Sequence, residues 1–338
     1  MKSPSIISII LFLILVTGCA NFQYSTVYNG SSQEGKHARG VDVNNSKVII
    51  TGYQGAVTIL DMASNNFKVK DSIIGAEDLR DVHLFDDYSY ITISSGERGL
   101  VYHHKSGITE SIFNMNNLFL DGIDFWENGK DGIIYGDEFK GKIFIMKTTN
   151  GGQSWYGIDT VNIPNSLKNE AGFAASGTGI TLVEDSIAYL VTGAADIARV
   201  YKSTDKGEHW KALNTPMRSG DSYGIYTTSF WSANDGIIAG GSWTDSLYNE
   251  KIAFITHDGG KNWENISAGL PGYISCISST ANGDFIIVTG RMGAYYSLNQ
   301  GKTWKLFSSH PFYTVHISED IIVFSGKNGV LKIYKYEL

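Results

Sequence analysis

From residue 39 onward the chain is written in short apolar-polar alternations, cut at short intervals by Gly, Asn and Asp. Arg39-Gly40-Val41-Asp42-Val43 alternates, Asn44-Asn45 turns, Lys47 to Thr51 forms a second strand, and Gly52-Tyr53-Gln54-Gly55 opens a third. The next unit copies it: Arg80-Asp81-Val82-His83-Leu84, a turn at Asp86-Asp87, Tyr90 to Ser94, then Gly96-Glu97-Arg98-Gly99 and Leu100 to His103. Five further units begin at Asp121-Gly122-Ile123, Glu170-Ala171-Gly172, Gly224-Ile225-Tyr226, Ile274 and Thr314-Val315-His316. A period of two predicts β-strands, and no stretch keeps the spacing of a long amphipathic helix.

Four of the turns share one pattern. Thr148 to Trp155, Ser203 to Trp210, Thr256 to Trp263 and Ser297 to Trp304 each place Ser or Thr first, Asp or Asn two residues on, Gly four on and Trp seven on. Asp or Asn can bind its own turn backbone, Gly takes a backbone angle that other residues resist, and Trp anchors the next strand. This is the Asp-box, or BNR repeat. The four Trp stand 55, 53 and 41 residues apart, which is the spacing of four-stranded propeller blades. An all-β, seven-bladed β-propeller over residues 37–338 is therefore expected. Its last blade lacks an outermost strand, which residues 24–30 would supply and so close the ring without a free edge.

Composition agrees with many strands joined by tight turns: 38 Gly, 19 Tyr and 16 Phe in 338 residues. A formal net charge of −7 argues against a nucleic-acid or anionic-lipid surface. At the N-terminus, Ile6 to Val16 is too short an apolar run to span a membrane, and Val16-Thr17-Gly18-Cys19 resembles the lipobox of bacterial lipoproteins. That resemblance implies a signal peptide over residues 1–18, a lipidated Cys19, a tether over 19–36 and a place in the cell envelope, at the outer membrane or cell surface. Cys276 is then left without a disulfide partner and reads as a small core residue.

Topology turns the repeat into a prediction about function. Residues opening each innermost strand, and those between the second and third strands, fall on one face of the disc; the Asp-boxes fall on the other. The first set is charged: Arg39, Arg80, Asp81, Asp121 and Glu170, together with Glu97, Arg98, Asp137, Glu138, Asp196, Arg199, Arg291 and Lys327. Five of the six Arg lie in it, and Arg grips carboxylate or phosphate in two places. The candidate ligand-binding residues are thus Arg39, Arg80, Asp81, Asp121, Asp137, Glu170, Arg199 and Arg291. The opposing reading is that these Arg and acids pair with one another to lock neighbouring blades.

Catalytic signals are thin. Asp121, Asp137, Glu138 and Glu170 include candidates for a pair flanking a glycosidic bond. Sialidases share the Asp-box, but the Arg-Ile-Pro start typical of them is missing, since Gly40-Val41 follows Arg39. The His residues are scattered, so no metal site is readable; Gly151-Gly152 and Gly259-Gly260 open no helix, so they are not phosphate loops. No cofactor is expected.

Phe119 to Trp126, Gly136-Asp137, Glu170 with Phe173-Ala174-Ala175-Ser176-Gly177-Thr178, Thr192-Gly193 through Arg199-Val200, and Gly240-Gly241 resemble bacterial seven-bladed Asp-box proteins of the photosystem II stability/assembly factor-like family. The chain departs from that pattern in its degenerate first two boxes and in Glu138. The resemblance implies a scaffold that holds a membrane protein on an Arg-rich face. A monomeric, lipid-anchored propeller binding a protein or carbohydrate partner at the charged mouth of its channel is the expected function; a cell-surface glycoside hydrolase or sialidase-like enzyme is the alternative.

Overall fold

The computed structural model describes residues 22–33, 35–64, 66–85 and 88–338. The expected signal peptide, Cys19, residues 19–21 and 34 of the expected tether, and the turn at Asp86-Asp87 lie outside the described residues. The alternating segments pair into seven four-stranded antiparallel sheets. Blades 1 to 6 occupy residues 38–72, 78–116, 120–157, 180–214, 223–265 and 274–308. Blade 7 takes three strands from 314–337 and its outermost from Gln23–Ser31, which runs antiparallel to Val330–Glu337. The closing strand comes from the stretch read as tether, and covers the edge that blade 7 would otherwise expose.

The core is divided into wedges, one between each pair of neighbouring blades. Ile133, Tyr135 and Ile145 of blade 3 meet Ile180, Leu190 and Tyr201 of blade 4; Val48 and Ile50 of blade 1 meet Val323, Leu331 and Ile333 of blade 7. A blade buries both faces, which is why its second strand reads as a continuous apolar run. In Ile286-Ile287-Val288, Ile286 and Val288 pack toward blade 5 while Ile287 packs toward blade 7.

The Asp-box turns join third to fourth strands. In each, the first Ser or Thr hydroxyl accepts the Gly amide, at 3.0, 2.9, 3.0 and 2.9 Å in chain order. The Asp or Asn oxygen accepts the amide four residues on, at 3.1, 3.0, 2.9 and 2.9 Å. The Gly sits at φ between 73° and 90°, where a Cβ is disfavoured. The boxes are thus local hydrogen-bonded turns, and their partners are spent on the fold.

Side chains also latch each blade to the next. Asp42 accepts the Leu84 amide at 2.7 Å, Asp81 that of Ile123 at 2.8 Å, Asp124 that of Leu182 at 2.8 Å, Thr227 that of Ile277 at 2.9 Å and Ser278 that of Ile317 at 2.9 Å. These amides lie on innermost-strand edges, where an unpaired buried donor is costly. Burial raises Asp81 well above its ordinary value and pushes Asp124 up to about 7, against the amides of Leu182 and Phe125. The folded chain therefore keeps a proton at Asp124 that the unfolded chain, ionising near 3.8, releases. Stability from this group is complete below about pH 4 and is lost as pH rises through 7, on the order of 4 kcal/mol at the limit. The expected result is that Asp124→Ala narrows the gap in urea-unfolding free energy between pH 5 and pH 8. An unchanged gap sinks this reading.

Candidate functional site

Pairing between first and second strands skips one residue in five blades. The skipped residues are Arg39, Arg80, Asp121, Tyr226 and Ser275. Such a bulge re-aims one side chain out of the alternation. Four of the five, Arg39, Arg80, Tyr226 and Ser275, line a cavity of about 540 Å³ on the disc axis.

That cavity is floored by the chain itself. Before reaching its innermost strand in blade 4, Ile180–Val183, the segment 171–178 crosses the axis. The carbonyl of Ala175 accepts from Arg39 Nη1 of blade 1 at 3.0 Å, and that of Ala174 from Arg80 Nη1 of blade 2 at 2.7 Å. Asp137 of blade 3 accepts the Gly172 amide at 2.9 Å. Thr178 meets the Thr227 hydroxyl of blade 5 at 2.7 Å, and Ser176 donates to the Ser275 carbonyl of blade 6 at 2.8 Å. Gly177, at φ +76°, is required here, because a Cβ would collide with the Asp81 carboxylate. The mouth expected from the sequence is therefore a closed bowl whose floor is Phe173-Ala174-Ala175.

Electrostatics of the bowl are uneven. Arg80 Nε lies 2.7 Å from Asp78 Oδ2 and Arg39 Nε 4.0 Å from the same oxygen, so one carboxylate faces two guanidiniums. Burial first, and then the charge of Arg80, lower the Arg39 guanidinium from its ordinary value. Arg39 Cζ also stands 4.3 Å over the Tyr313 ring. Exposed Arg291 lines the bowl near Tyr226 and Tyr273 and has no ion pair or hydrogen bond among the described residues. Aromatic rings stand beside the Arg: Phe173 stacks on Tyr226 at 4.0 Å, and Tyr226 meets Tyr273 edge-on at 4.9 Å.

The sequence-predicted residues divide. Arg39, Arg80, Asp137 and Arg291 line the bowl. Asp121 is 1% exposed beneath it, with Asp137 as its neighbouring carboxyl. Burial and then the Asp137 charge raise Asp121 well above the ordinary range, while burial raises Asp137 to about 6. Asp81 is a blade latch, because it follows the bulged Arg80 and points the other way. Glu170, in the connection just before the floor segment, and Arg199 of blade 4 are a buried ion pair: Arg199 Nε donates to Glu170 Oε1 at 2.8 Å and Nη2 to Oε2. Thr192, Leu167 and Tyr201 donate to the remaining positions of the same carboxylate at 2.6, 2.8 and 3.1 Å. Glu97, Arg98 and Glu138 line a second recess that shares Phe119 and Asp137 with the bowl.

Aromatic lining was missed from the sequence. Aligning the seven units on the innermost strand would have found part of it, since Tyr226 occupies the place of Arg39 and Arg80, and Tyr313 directly precedes the strand Thr314–Ile317. Tyr273 likewise directly precedes the strand Ile274–Ser279, whereas Trp243 had no such signal. Among the described residues no group of three or more His, Cys, Asp or Glu could hold a metal ion.

Comparison with known proteins gives three findings. The BNR/Asp-box repeat model matches residues 254–265 and 295–306. A probable oligoxyloglucan-reducing end-specific xyloglucanase of Neosartorya fischeri is 25% identical over 178 residues, 47% of this chain; the match spans only 20% of that relative's length. A solved structure described as YCF48 bound to D1 peptide superposes with a TM-score of 0.62 at 11% identity, covering 94% of this chain and 97% of that one. Likeness at that identity speaks to the fold. With four Asp-box turns and seven four-stranded blades, the chain is a seven-bladed β-propeller carrying BNR/Asp-box repeats, and it shares the fold of the YCF48 structure.

Proposed function

We propose that this protein is a binding propeller that takes a carboxylate-bearing segment of a protein partner in the bowl. The observation that carries the reading is the set of three Arg around one cavity, two sharing the single carboxylate of Asp78 and the third unpaired. A ligand carboxylate would complete the pairing and accept bidentate, charge-assisted bonds. The structural neighbour is described with a bound peptide, which supports a polypeptide ligand. The test is a synthetic array of decapeptides with free C-termini. Arg291→Ala is expected to weaken the best-retained peptide about tenfold, the loss of one charge-assisted contact, with no change in melting temperature. Retention of no peptide by the wild type, or equal retention by the variant, overturns the proposal.

The cell-envelope setting is part of the same reading. A lipid on Cys19 would hold the propeller at a membrane beside membrane-protein partners. Cys19→Ser is then expected to move the protein from the membrane to the soluble fraction; continued membrane fractionation would overturn it.

A glycoside-active reading draws on the xyloglucanase relative. Of the acids predicted for it, Glu170 is occupied by Arg199, Asp121 is buried with Asp137 as its neighbour, and Glu138 accepts the Gly141 amide in the second recess. Glycosidase carboxyls stand apart, about 5 Å or more, to admit the reacting sugar, so the bowl supports binding better.

A further inference from the structure

The bowl does not end at its rim. Trp243 and Asp221 line both the bowl and an outer recess of about 710 Å³ on blade 5, formed with Arg218, Ser222, Tyr223 and Thr244. Trp243 is 51% exposed, yet it stands on a fixed turn. The buried Ser242 hydroxyl accepts the amides of Thr244 and Asp245 at 3.2 and 3.1 Å and meets the Ser222 hydroxyl at 2.7 Å. At the outer end Arg218 Cζ lies 3.8 Å over the Tyr223 ring and 4.8 Å over that of Tyr248. Tyr223 is itself fixed by a 2.6 Å hydrogen bond to Asp245. Arg218 has no ion pair among the described residues. Inward to outward, the surface therefore presents arginines, an exposed indole with the Asp221 carboxylate in the same stretch of lining, and a further arginine.

A large aromatic ring held rigidly in water loses apolar burial, and Trp, Tyr and Arg are the side chains that carry most binding energy at interfaces. We infer that Trp243 and Arg218 form a second subsite, which makes the bowl one end of a groove for an extended acidic peptide. The peptide places a carboxylate among Arg39, Arg80 and Arg291, lays an aromatic or large aliphatic side chain on Trp243, and sets a second acidic residue at Arg218. The order follows from charge complementarity and from the continuity of the two cavities. This rests on the binding reading above and adds the direction and composition of the ligand.

The array of free-C-terminus decapeptides tests it when probed with the full-length protein, Trp243→Ala, Trp243→Phe, Arg218→Ala and Arg39→Ala/Arg80→Ala. Wild-type binders should be enriched in Trp, Phe or Leu between two acidic positions. Trp243→Ala should bind the best of them at least tenfold more weakly and lose the aromatic enrichment while still requiring the inner carboxylate; Trp243→Phe should recover most of the affinity. Arg218→Ala should lose only the outer acidic preference. If peptides depend on Arg39 and Arg80 but bind Trp243→Ala within twofold, the groove is wrong and the bowl reading survives. Absence of any retained peptide overturns both. Trp243-dependent retention of neutral xylo-oligosaccharides in place of peptides would reassign the subsite to glycan.

Discussion

Glu170→Gln is expected to destabilise the protein by roughly 3–5 kcal/mol, the cost of leaving a buried charge without its counter-ion. Arg199 is 7% exposed and its guanidinium is directed at Glu170, with the Asn165 carbonyl at 3.0 Å as a further acceptor. Gln keeps the volume of Glu but offers one acceptor where the carboxylate now serves Arg199, Thr192, Leu167 and Tyr201. The measurement is urea unfolding of the variant and of Glu170→Gln/Arg199→Met. The double variant should recover most of the loss, because an apolar replacement removes the stranded charge. A single variant within 1 kcal/mol of wild type would show that the pair is not a lock. Glu170 directly precedes the segment that floors the bowl, so the destabilised variant should also bind the array peptides more weakly.

Arg39→Ala/Arg80→Ala is expected to reduce peptide binding by at least about a hundredfold, since two charge-assisted contacts of about 1.5–3 kcal/mol each are removed. Unlike Arg291, these residues also hold the floor through the carbonyls of Ala175 and Ala174, and they neutralise Asp78. A fall of a few degrees in melting temperature should accompany the loss. Arg39→Lys/Arg80→Lys separates the two effects: charge opposite Asp78 is kept and most of the melting temperature returns, but the planar fork is gone and binding stays weak. Unchanged retention by the Ala pair would remove the bowl from consideration.

Much of the architecture was legible because its determinants are local. The Asp-box turns satisfy themselves within eight residues, the alternation of each strand follows from the pleat, and the interval between boxes counts strands. The closing role of residues 24–30, observed as the strand Gln23–Ser31, was legible for the same reason, as a blade one strand short needs an edge partner. That strand falls inside the stretch with a linker's composition, because its residues are polar and face solvent.

The candidate site was legible only in part. Opening positions of the innermost strands do converge, yet Asp81 and Arg80 are adjacent and face opposite ways, one to the next blade and one into the bowl. Glu170 and Arg199 carried the same charge signal as Arg39 and Arg80, but their pairing across 29 residues is invisible to a count of charges. By itself, the sequence determined seven blades, the turn chemistry and which face of the disc gathers charge, because each depends on interactions between near neighbours in the chain. Tertiary structure alone decided that the channel is closed by residues 171–178, which charges are consumed as locks, and that Tyr226, Tyr273 and Trp243 line the same bowl as Arg39, Arg80 and Arg291. Those outcomes turn on single-residue bulges and on contacts between distant blades, where a shift of one position reverses the direction of a side chain.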